Sequence, residues 1–351
     1  IRELDINPLL INAEGEVLAA DALAVLGREE SAPRPRSAVP PRITEAFFRP
    51  QSIAFVGASA QMGKWGHLLV TNVTSGSFPG QVYLINPKGG TIAGQQAYTS
   101  IDALPETPDL AVVTIPAAKI SGLLDDLAHK GVSHMVLIAS GFGETGSEGR
   151  ELEHQMVDKA ERLGITILGP NTMGLCNPHQ SFFCTGSIVQ PRPRSTSMIS
   201  QSGNMGVQLL SFAEQQGIGI RAFCGSGNEA MLSIEDYLDY FAEDEQTRTI
   251  MLYLESPKDG SRFLRTAREA SGKKPIVLLK GGSTKQGSKA AASHTGAMST
   301  DSAVFDGLCR QAGIVKVDGP MDLLDLTAAF SSLPLPRGRR VAVMTLGGGW
   351  G

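Results

Sequence analysis

His294 stands in the run Ala292-Ser293-His294-Thr295-Gly296-Ala297, reached through Lys280-Gly281-Gly282-Ser283-Thr284-Lys285-Gln286-Gly287-Ser288-Lys289. A long polar loop rich in glycine is unusual inside an α/β unit and is often functional. Small neighbours leave the imidazole open to close approach, so His294 is the candidate for catalysis. The alternative is an ordinary loop histidine. His67, His129, His134, His154 and His179 have no comparable setting. Glu255 follows the apolar run Thr249–Leu254. It therefore falls at the carboxyl end of a strand, where ligands of open α/β sheets sit. A carboxylate there can hold an imidazole through its ring N–H, or it can cap a helix. Glu243-Asp244-Glu245, by contrast, reads as a solvated charge run at a helix end.

Two further segments pair a strand with a glycine-rich turn into a helix. In Ser200-Gln201-Ser202-Gly203-Asn204-Met205-Gly206, Ser202, Gly203 and Asn204 would offer a hydroxyl, free amides and a helix N-terminus to an anion. The simpler reading is a plain N-cap. In Gly57-Ala58-Ser59-Ala60-Gln61-Met62-Gly63-Lys64-Trp65-Gly66, the turn suits a pyrophosphate on backbone amides. Its candidate contacts are Gly57, Ala58, Ser59, Gly63 and Lys64. The turn is neither G-x-G-x-x-G nor a P-loop. No acidic residue closes the next strand, which ends Asn86-Pro87-Lys88, so the ribose contact of an NAD site is missing. Lys88 favours a phosphate instead. A packing turn without a ligand is the other reading.

Residues 1–26 read as one β-hairpin turning at Ala13-Glu14-Gly15. Centring the turn on Glu14 places Asn7 opposite Asp21 on one sheet face. Two such oxygen donors suit Mg²⁺ better than zinc. Otherwise Asn7 serves a turn and Asp21 is solvated.

These residues need elements to hold them. From 47 to 170 the sequence alternates strand and helix, with strands at Ser52–Val56, Val82–Asn86, Leu110–Ile115, His134–Ala139 and Ile165–Leu168. A second alternating block runs from Thr196 to Leu333, with strands at Ser197–Ser200, Ile220–Cys224, Thr249–Leu254, Ile276–Lys280 and Ile314–Val317. Alternation of this kind predicts parallel sheets covered by helices. Residues 28–44 hold four prolines and read as a semi-extended linker. The 351 residues include 40 Gly, and only 19% are charged. Gly lies above its usual share of roughly 7% and charge below its usual level of about 25%. A net charge of −4 argues against nucleic-acid binding through bulk electrostatics, and no apolar run reaches membrane-helix length. The four cysteines lack C-x-x-C spacing, so no disulfide framework or zinc site is expected, and a cytoplasmic location follows. Ile1 falls inside a strand pattern, and Leu346-Gly347-Gly348-Gly349-Trp350-Gly351 follows the strand-like Arg340–Thr345. Both ends are expected to be cuts through a longer polypeptide.

As a set, these motifs resemble the NDP-forming acyl-CoA synthetases, the superfamily of succinyl-CoA synthetase and ADP-forming acetyl-CoA synthetase. Gly57-Ala58-Ser59 with Asn86-Pro87-Lys88 resembles the CoA-binding domain, and Gly169-Pro170-Asn171 with Gly174 resembles the crossing into the next domain. Ser200-Gln201-Ser202-Gly203-Asn204, Gly227-Asn228, Tyr253-Leu254-Glu255 and Ser293-His294-Thr295-Gly296-Ala297 resemble the ligase domain. Glu3-Leu4-Asp5-Ile6-Asn7-Pro8-Leu9 resembles the closing strand of the family's ATP-grasp domain.

The resemblance implies an α/β chain in which a β-hairpin remnant of an ATP-grasp domain (1–27) and the linker (28–44) precede a Rossmann-like CoA-binding domain (45–188). A flavodoxin-like ligase domain (189–335) and the truncated start of a third α/β domain (336–351) would follow. It implies a ligase that joins a small carboxylic acid to CoA with ATP, through an acyl phosphate and a phosphohistidine on His294. Glu255 would orient the ring, Ser202, Gly203 and Asn204 would receive the phosphoryl group, and Asn7 and Asp21 would hold the nucleotide's Mg²⁺. It also implies that the missing ATP-grasp and third ligase domains complete the enzyme, and that the enzyme is a homo-oligomer. A non-catalytic acyl-CoA-binding module is the alternative, and an NAD-dependent oxidoreductase a more distant one. Trp65 departs from the family's small or aliphatic residue and bears on the CoA contacts.

Overall fold

The computed structural model describes residues 3–26, 38–282 and 302–336, together with 338, 340, 342, 344 and 345. Contacts divide the chain into two units, 1–38 and 39–351.

The first unit is a hairpin in two short ladders. Strand β1 (Glu3–Ile6) pairs with β4 (Ala22–Val25), and β2 (Leu9–Ile11) pairs with β3 (Val17–Ala19), both antiparallel. Every pair is symmetric about Glu14, from Glu3↔Val25 to Ile11↔Val17. Between the ladders the Asn7 N–H donates to the Asp21 carbonyl at 3.2 Å, so these two residues stand opposite each other, as the spacing predicts.

The second unit begins with α1 (Pro41–Phe48), inside the segment read as linker. Proline is well tolerated at a helix's first position because that N–H has no helical acceptor. Thr44, Phe47 and Phe48 make its buried face. Two sheets follow. The first contains β5 (Ser52–Val56), β6 (Gln81–Ile85), β9 (Leu110–Val113), β10 (His134–Leu137) and β11 (Thr166–Leu168). A two-residue pair, β7 (Thr91–Ile92) with β8 (Gln95–Gln96), sits beside it. All five strands are parallel, in the order β6-β5-β9-β10-β11. Their helices are α2 (Trp65–Ser75), α3 (Ile120–Lys130) and α4 (Ser147–Leu163). Gly131 and Gly164 end α3 and α4 in the left-handed conformation that only glycine adopts freely.

The second sheet has a parallel core of β14 (Pro193–Ser200), β15 (Ile220–Gly225), β16 (Thr249–Leu254), β17 (Ile276–Lys280) and β18 (Val315–Val317), in the order β15-β14-β16-β17-β18. Its helices are α5 (Gly203–Gln215), α6 (Ile234–Glu243), α7 (Gly260–Ser271), α8 (Ser302–Ala312) and α9 (Pro320–Ser332). Both parallel sets thus share one order. The first strand lies between the second and the third, so each has its switch point beside that first strand. Two antiparallel strands, β12 (Gly174–Asn177) and β13 (Phe182–Thr185), extend the second sheet through β15. The sequence reading grouped residues 174–185 with the first α/β unit. Their ladder hydrogen bonds put them in the second sheet, where β12 pairs antiparallel with β15 and β13 with β12. One core of buried side chains joins both sheets, from Phe55 and Leu69 to Leu252 and Phe263.

Asp244 corrects the reading of its charge run. It is only 9% exposed and receives a bidentate Arg221 guanidinium at 2.9 and 3.1 Å, together with the Thr247 hydroxyl. Arg221 is fully buried and also donates to the Asn177 Oδ1 at 3.0 Å. Burial alone would raise the Asp244 carboxyl. The hydrogen bonds from Arg221 and Thr247 outweigh it and leave the group below its ordinary value. In the Arg340–Thr345 stretch, residues 340, 342, 344 and 345 are described and carry no strand, while 341, 343 and 346–351 fall outside the described residues. No helix among the described residues is long and apolar enough to cross a membrane.

Candidate functional site

The first switch point is built from backbone. Gly57 follows β5 with φ +95°, a conformation that strains any residue with a Cβ. A side chain there would also press on the Thr114 hydroxyl at 2.6 Å. The amides of Gly57 and Ala58 both donate to the Ile85 carbonyl at 3.1 Å. They therefore close the turn onto β6 and do not face outward. Asn86 clamps the same turn, donating to the Ala58 carbonyl at 2.9 Å and accepting from the Lys88 N–H at 2.9 Å. The Ser59 hydroxyl accepts from the Gln61 N–H at 3.1 Å. Gly66 packs tightly on the Gly57 carbonyl, and a Cβ there would lie 2.0 Å from its oxygen, so a larger residue would force the turn to shift. Lys64, at the N-cap of α2, gives no side-chain cap. The first helical amides thus lack an intrahelical acceptor at the mouth of the turn. Gly63, at φ +82°, has open space around it, and the Lys64 and Lys88 side chains are exposed. The Trp65 ring reaches Gly186, where a Cβ would lie 2.7 Å from it and 2.5 Å from the Met173 methyl. Met173 also covers Gly203, the first residue of α5.

The second switch point is built from side chains. Ser200 and Tyr253 are register partners at the ends of β14 and β16. Ser202 is the N-cap of α5, its hydroxyl accepting from the Met205 N–H at 3.4 Å. Gly203 is the first helical residue, and Asn204 is exposed. Glu255 follows β16 and is half-buried. The Gln201 Oε1 accepts from the N–H groups of Glu255 at 2.7 Å and Ser256 at 3.1 Å, and its Nε2 donates to the Ser256 carbonyl at 2.9 Å. Lys280 donates to the carbonyls of Glu255 at 2.5 Å and Gly281 at 2.7 Å. Burial lowers its pKa, and the Glu255 charge partly restores it.

Beside them lies a buried acidic knot. Glu229 is 1% exposed and takes the Ser226 hydroxyl at 2.7 Å. Burial first, and the Glu235 charge after it, push its carboxyl up to about 7, against the pull of Lys258 and of hydrogen bonds from Ser226 and Gln201. Lys258 donates to the carbonyls of Asn228 and Glu229. The Asn228 amide donates to both Glu144 and Glu153 and accepts from Asn171 at 3.2 Å. Glu144 in turn accepts from the Gly141 N–H at 2.6 Å, and Glu153 from the Gly143 N–H at 3.1 Å. Asn228 therefore stitches the carboxyl edge of the first sheet to that of the second.

The structure thus brings Ser202, Gly203, Asn204 and Glu255 to one edge, and Gly57, Ala58, Ser59, Gly63, Lys64 and Lys88 to the other. Asn7 and Asp21 belong to the hairpin unit, where the Asp21 Oδ1 accepts the Ala22 N–H at 2.8 Å. His294 lies outside the described residues. Sequence reasoning missed Gln201, Glu229, Glu144, Glu153, Lys258 and Lys280. Gln201 and Lys280 stood inside segments already singled out, but their partners are strands far away in the chain.

Two family models match in tandem: a CoA binding domain over residues 51–178, and a succinyl-CoA ligase-like flavodoxin domain over residues 193–330. The chain is 38% identical over 311 residues to the acetate–CoA ligase (ADP-forming) I subunit alpha of Pyrococcus furiosus, covering 88% of this chain and 67% of that protein. It is 37% identical over 350 residues to acetate–CoA ligase (ADP-forming) II of Archaeoglobus fulgidus, covering 98% of this chain and 50% of that one. The solved Candidatus Korarchaeum cryptofilum dinucleotide-forming acetyl-coenzyme A synthetase 1, in complex with phosphate and ADP, superposes with a TM-score of 0.82 at 37% identity, over 87% of this chain and 66% of that one. The chain thus spans about two thirds of the alpha-subunit relative and half of the longer Archaeoglobus relative. With both domains matched in order and the paired switch points in place, the chain belongs to the NDP-forming acyl-CoA synthetase family, alongside the ADP-forming acetate–CoA ligases.

Proposed function

We propose that this chain supplies the CoA-binding and phosphoryl-relay portion of an acid–CoA ligase that converts a small carboxylic acid, CoA and ATP into acyl-CoA, ADP and phosphate. The observation that carries the reading is the pairing of Glu255 with the start of α5 at one switch point, Glu255 gripped through Gln201, the residue before the helix N-cap. In this reading a neutral His294 nitrogen attacks the γ-phosphorus and ADP leaves. Glu255 accepts the N–H of the other ring nitrogen, fixing the tautomer and stabilising the charge that develops. The amino terminus of α5, at Ser202, Gly203 and Asn204, receives the phosphoryl oxygens. The substrate carboxylate then takes the phosphoryl group from His294, giving the acyl phosphate. The CoA thiolate attacks its carbonyl carbon, and phosphate departs.

At the first switch point, the start of α2 with Lys64 and Lys88 presents donors and positive charge for the coenzyme's phosphates, with Gly57, Ala58, Ser59 and Gly63 shaping the turn. Asn7 and Asp21, opposed across the hairpin with oxygen donors only, fit a hard divalent cation. Mg²⁺ held there would neutralise nucleotide phosphate charge. The remaining ATP-grasp and third ligase domains, a homo-oligomeric assembly and a cytoplasmic setting complete the proposal. The last is supported by four cysteines kept as buried free thiols.

The test is the full-length enzyme with γ-labelled ATP and a panel of carboxylic acids. The expected result is an acid-labile phosphoenzyme that His294→Ala abolishes together with thioester synthesis. Unchanged labelling and turnover in that variant would falsify the relay.

A further inference from the structure

We propose that Gln201 is a positioning residue for phosphoryl transfer, its side-chain amide setting where the Glu255 carboxylate stands relative to the start of α5. The inference rests on the reading of Glu255 as the acceptor that orients His294.

The argument begins where the sheet ends. The last residue of β16 is Leu254, so no ladder fixes Glu255. Gln201 extends the order by one step. Its own N–H donates to the Tyr253 carbonyl at 3.1 Å, continuing the Ser200↔Tyr253 register. Its side chain then uses both halves of the amide. Oε1 takes the N–H groups of Glu255 and Ser256 at 2.7 and 3.1 Å, and Nε2 reaches the Ser256 carbonyl at 2.9 Å. From the opposite strand, Lys280 holds the Glu255 carbonyl at 2.5 Å. The backbone of Glu255 is therefore gripped from β14 on one side and β17 on the other. Gln201 is also bonded in the chain to Ser202, the N-cap of α5. One residue thus couples the carboxylate to the helix end that would receive the phosphoryl group. A misplacement on the order of 1 Å in such a constellation costs roughly 100-fold in rate.

Only a side chain that donates and accepts at once can make these bonds. Leucine makes none of them. An ionised glutamate keeps the acceptor, loses the donor, and adds charge beside Glu255 and Glu229, with Lys280 and Lys258 as the facing cations. A protonated glutamic acid regains the donor.

The full-length enzyme carrying Q201L, Q201E or E255Q should be compared with wild type for the rate of acid-labile labelling from γ-labelled ATP, kcat, the KM for CoA, and thermal unfolding. Q201L should label roughly 100-fold more slowly with an unchanged KM for CoA. Q201E should approach wild-type labelling at acid pH and fall away as its carboxyl ionises, a profile that Q201L lacks. If Q201L labels at the wild-type rate while E255Q does not label, the positioning role fails and the Glu255 reading stands. If E255Q labels normally, both fail. Should Q201L not fold, a Q201E profile parallel to that of wild type overturns the inference.

Discussion

The two parallel sheets share one strand order, yet their switch points are built in opposite ways. At the first, the strand-to-helix turn is held by glycine and main chain: Gly57 at positive φ, Gly66 against the Gly57 carbonyl, and two amides spent on Ile85. At the second, side chains grip the strand ends: the Gln201 amide, the Lys280 ammonium and the buried Glu229. A turn made of backbone comes close to a phosphate and suits a ligand that enters and leaves. An edge made of charged and amide side chains in a drier setting suits charges that must keep their places while a group is transferred. On the proposed reading the same topology serves a binding role and a positioning role, and the difference lies in which atoms carry the order.

The sharpest way to break this contrast is to attack the ionic framework of the second sheet. Asp244→Ala leaves the Arg221 guanidinium buried without its bidentate partner. A loss of about 3–5 kcal/mol is expected from denaturant unfolding. An unchanged midpoint would show that side-chain charge does not hold this sheet. The counterpart in the first sheet is Gly66→Ala, whose Cβ meets the Gly57 carbonyl. Overpacking of this kind costs about 1–3 kcal/mol. It should also weaken CoA binding by calorimetry, whereas an equal loss of stability with native CoA affinity would separate the turn from the ligand.

Glu229 tests the buried knot through pH. Its folded carboxyl sits at about 7, above the ordinary 4.5. Between those values the folded state holds a proton that the unfolded state has released, so stability falls as pH rises from about 4.5 to about 7. The cost above that window is at most about 3 kcal/mol. Glu229→Gln should flatten this part of the stability profile, and a wild-type slope in the variant would place the titration elsewhere. The smallest effect is expected at the exposed turn. Lys88→Ala should weaken CoA binding by about 0.5–1 kcal/mol, most visibly at low salt. A loss that ignores salt would point to a contact other than phosphate charge.

The alternation of apolar runs was enough to place the strands. Thr249–Leu254 and Ile276–Lys280 are found with the predicted bounds, whereas Leu110–Val113 ends two residues early and Val315–Val317 starts one residue late. Strands buried on both faces read as continuous apolar runs, which is why they stand out. β12 and β13 did not stand out as strands. They are short, antiparallel and mixed in composition, and only their pairing with β15 makes them part of a sheet. Pro41 looked like linker because proline marks loops, yet it opens a helix whose Phe48 stacks on Tyr240 at 5.5 Å. Asp244 looked solvated among its acidic neighbours, because nothing nearby in the chain announces Arg221.

The glycine turns, the places of the parallel strands and the symmetric hairpin about Glu14 were determined by the sequence itself. Each depends on local backbone conformation and short-range spacing, which neighbouring residues encode. The joining of the two sheet edges through Asn228, the grip of Gln201 on Glu255 and the raised carboxyl of Glu229 were decided only by the tertiary structure. These are bonds and burial between strands and loops distant in the chain, and their energies exist only once the sheets have packed.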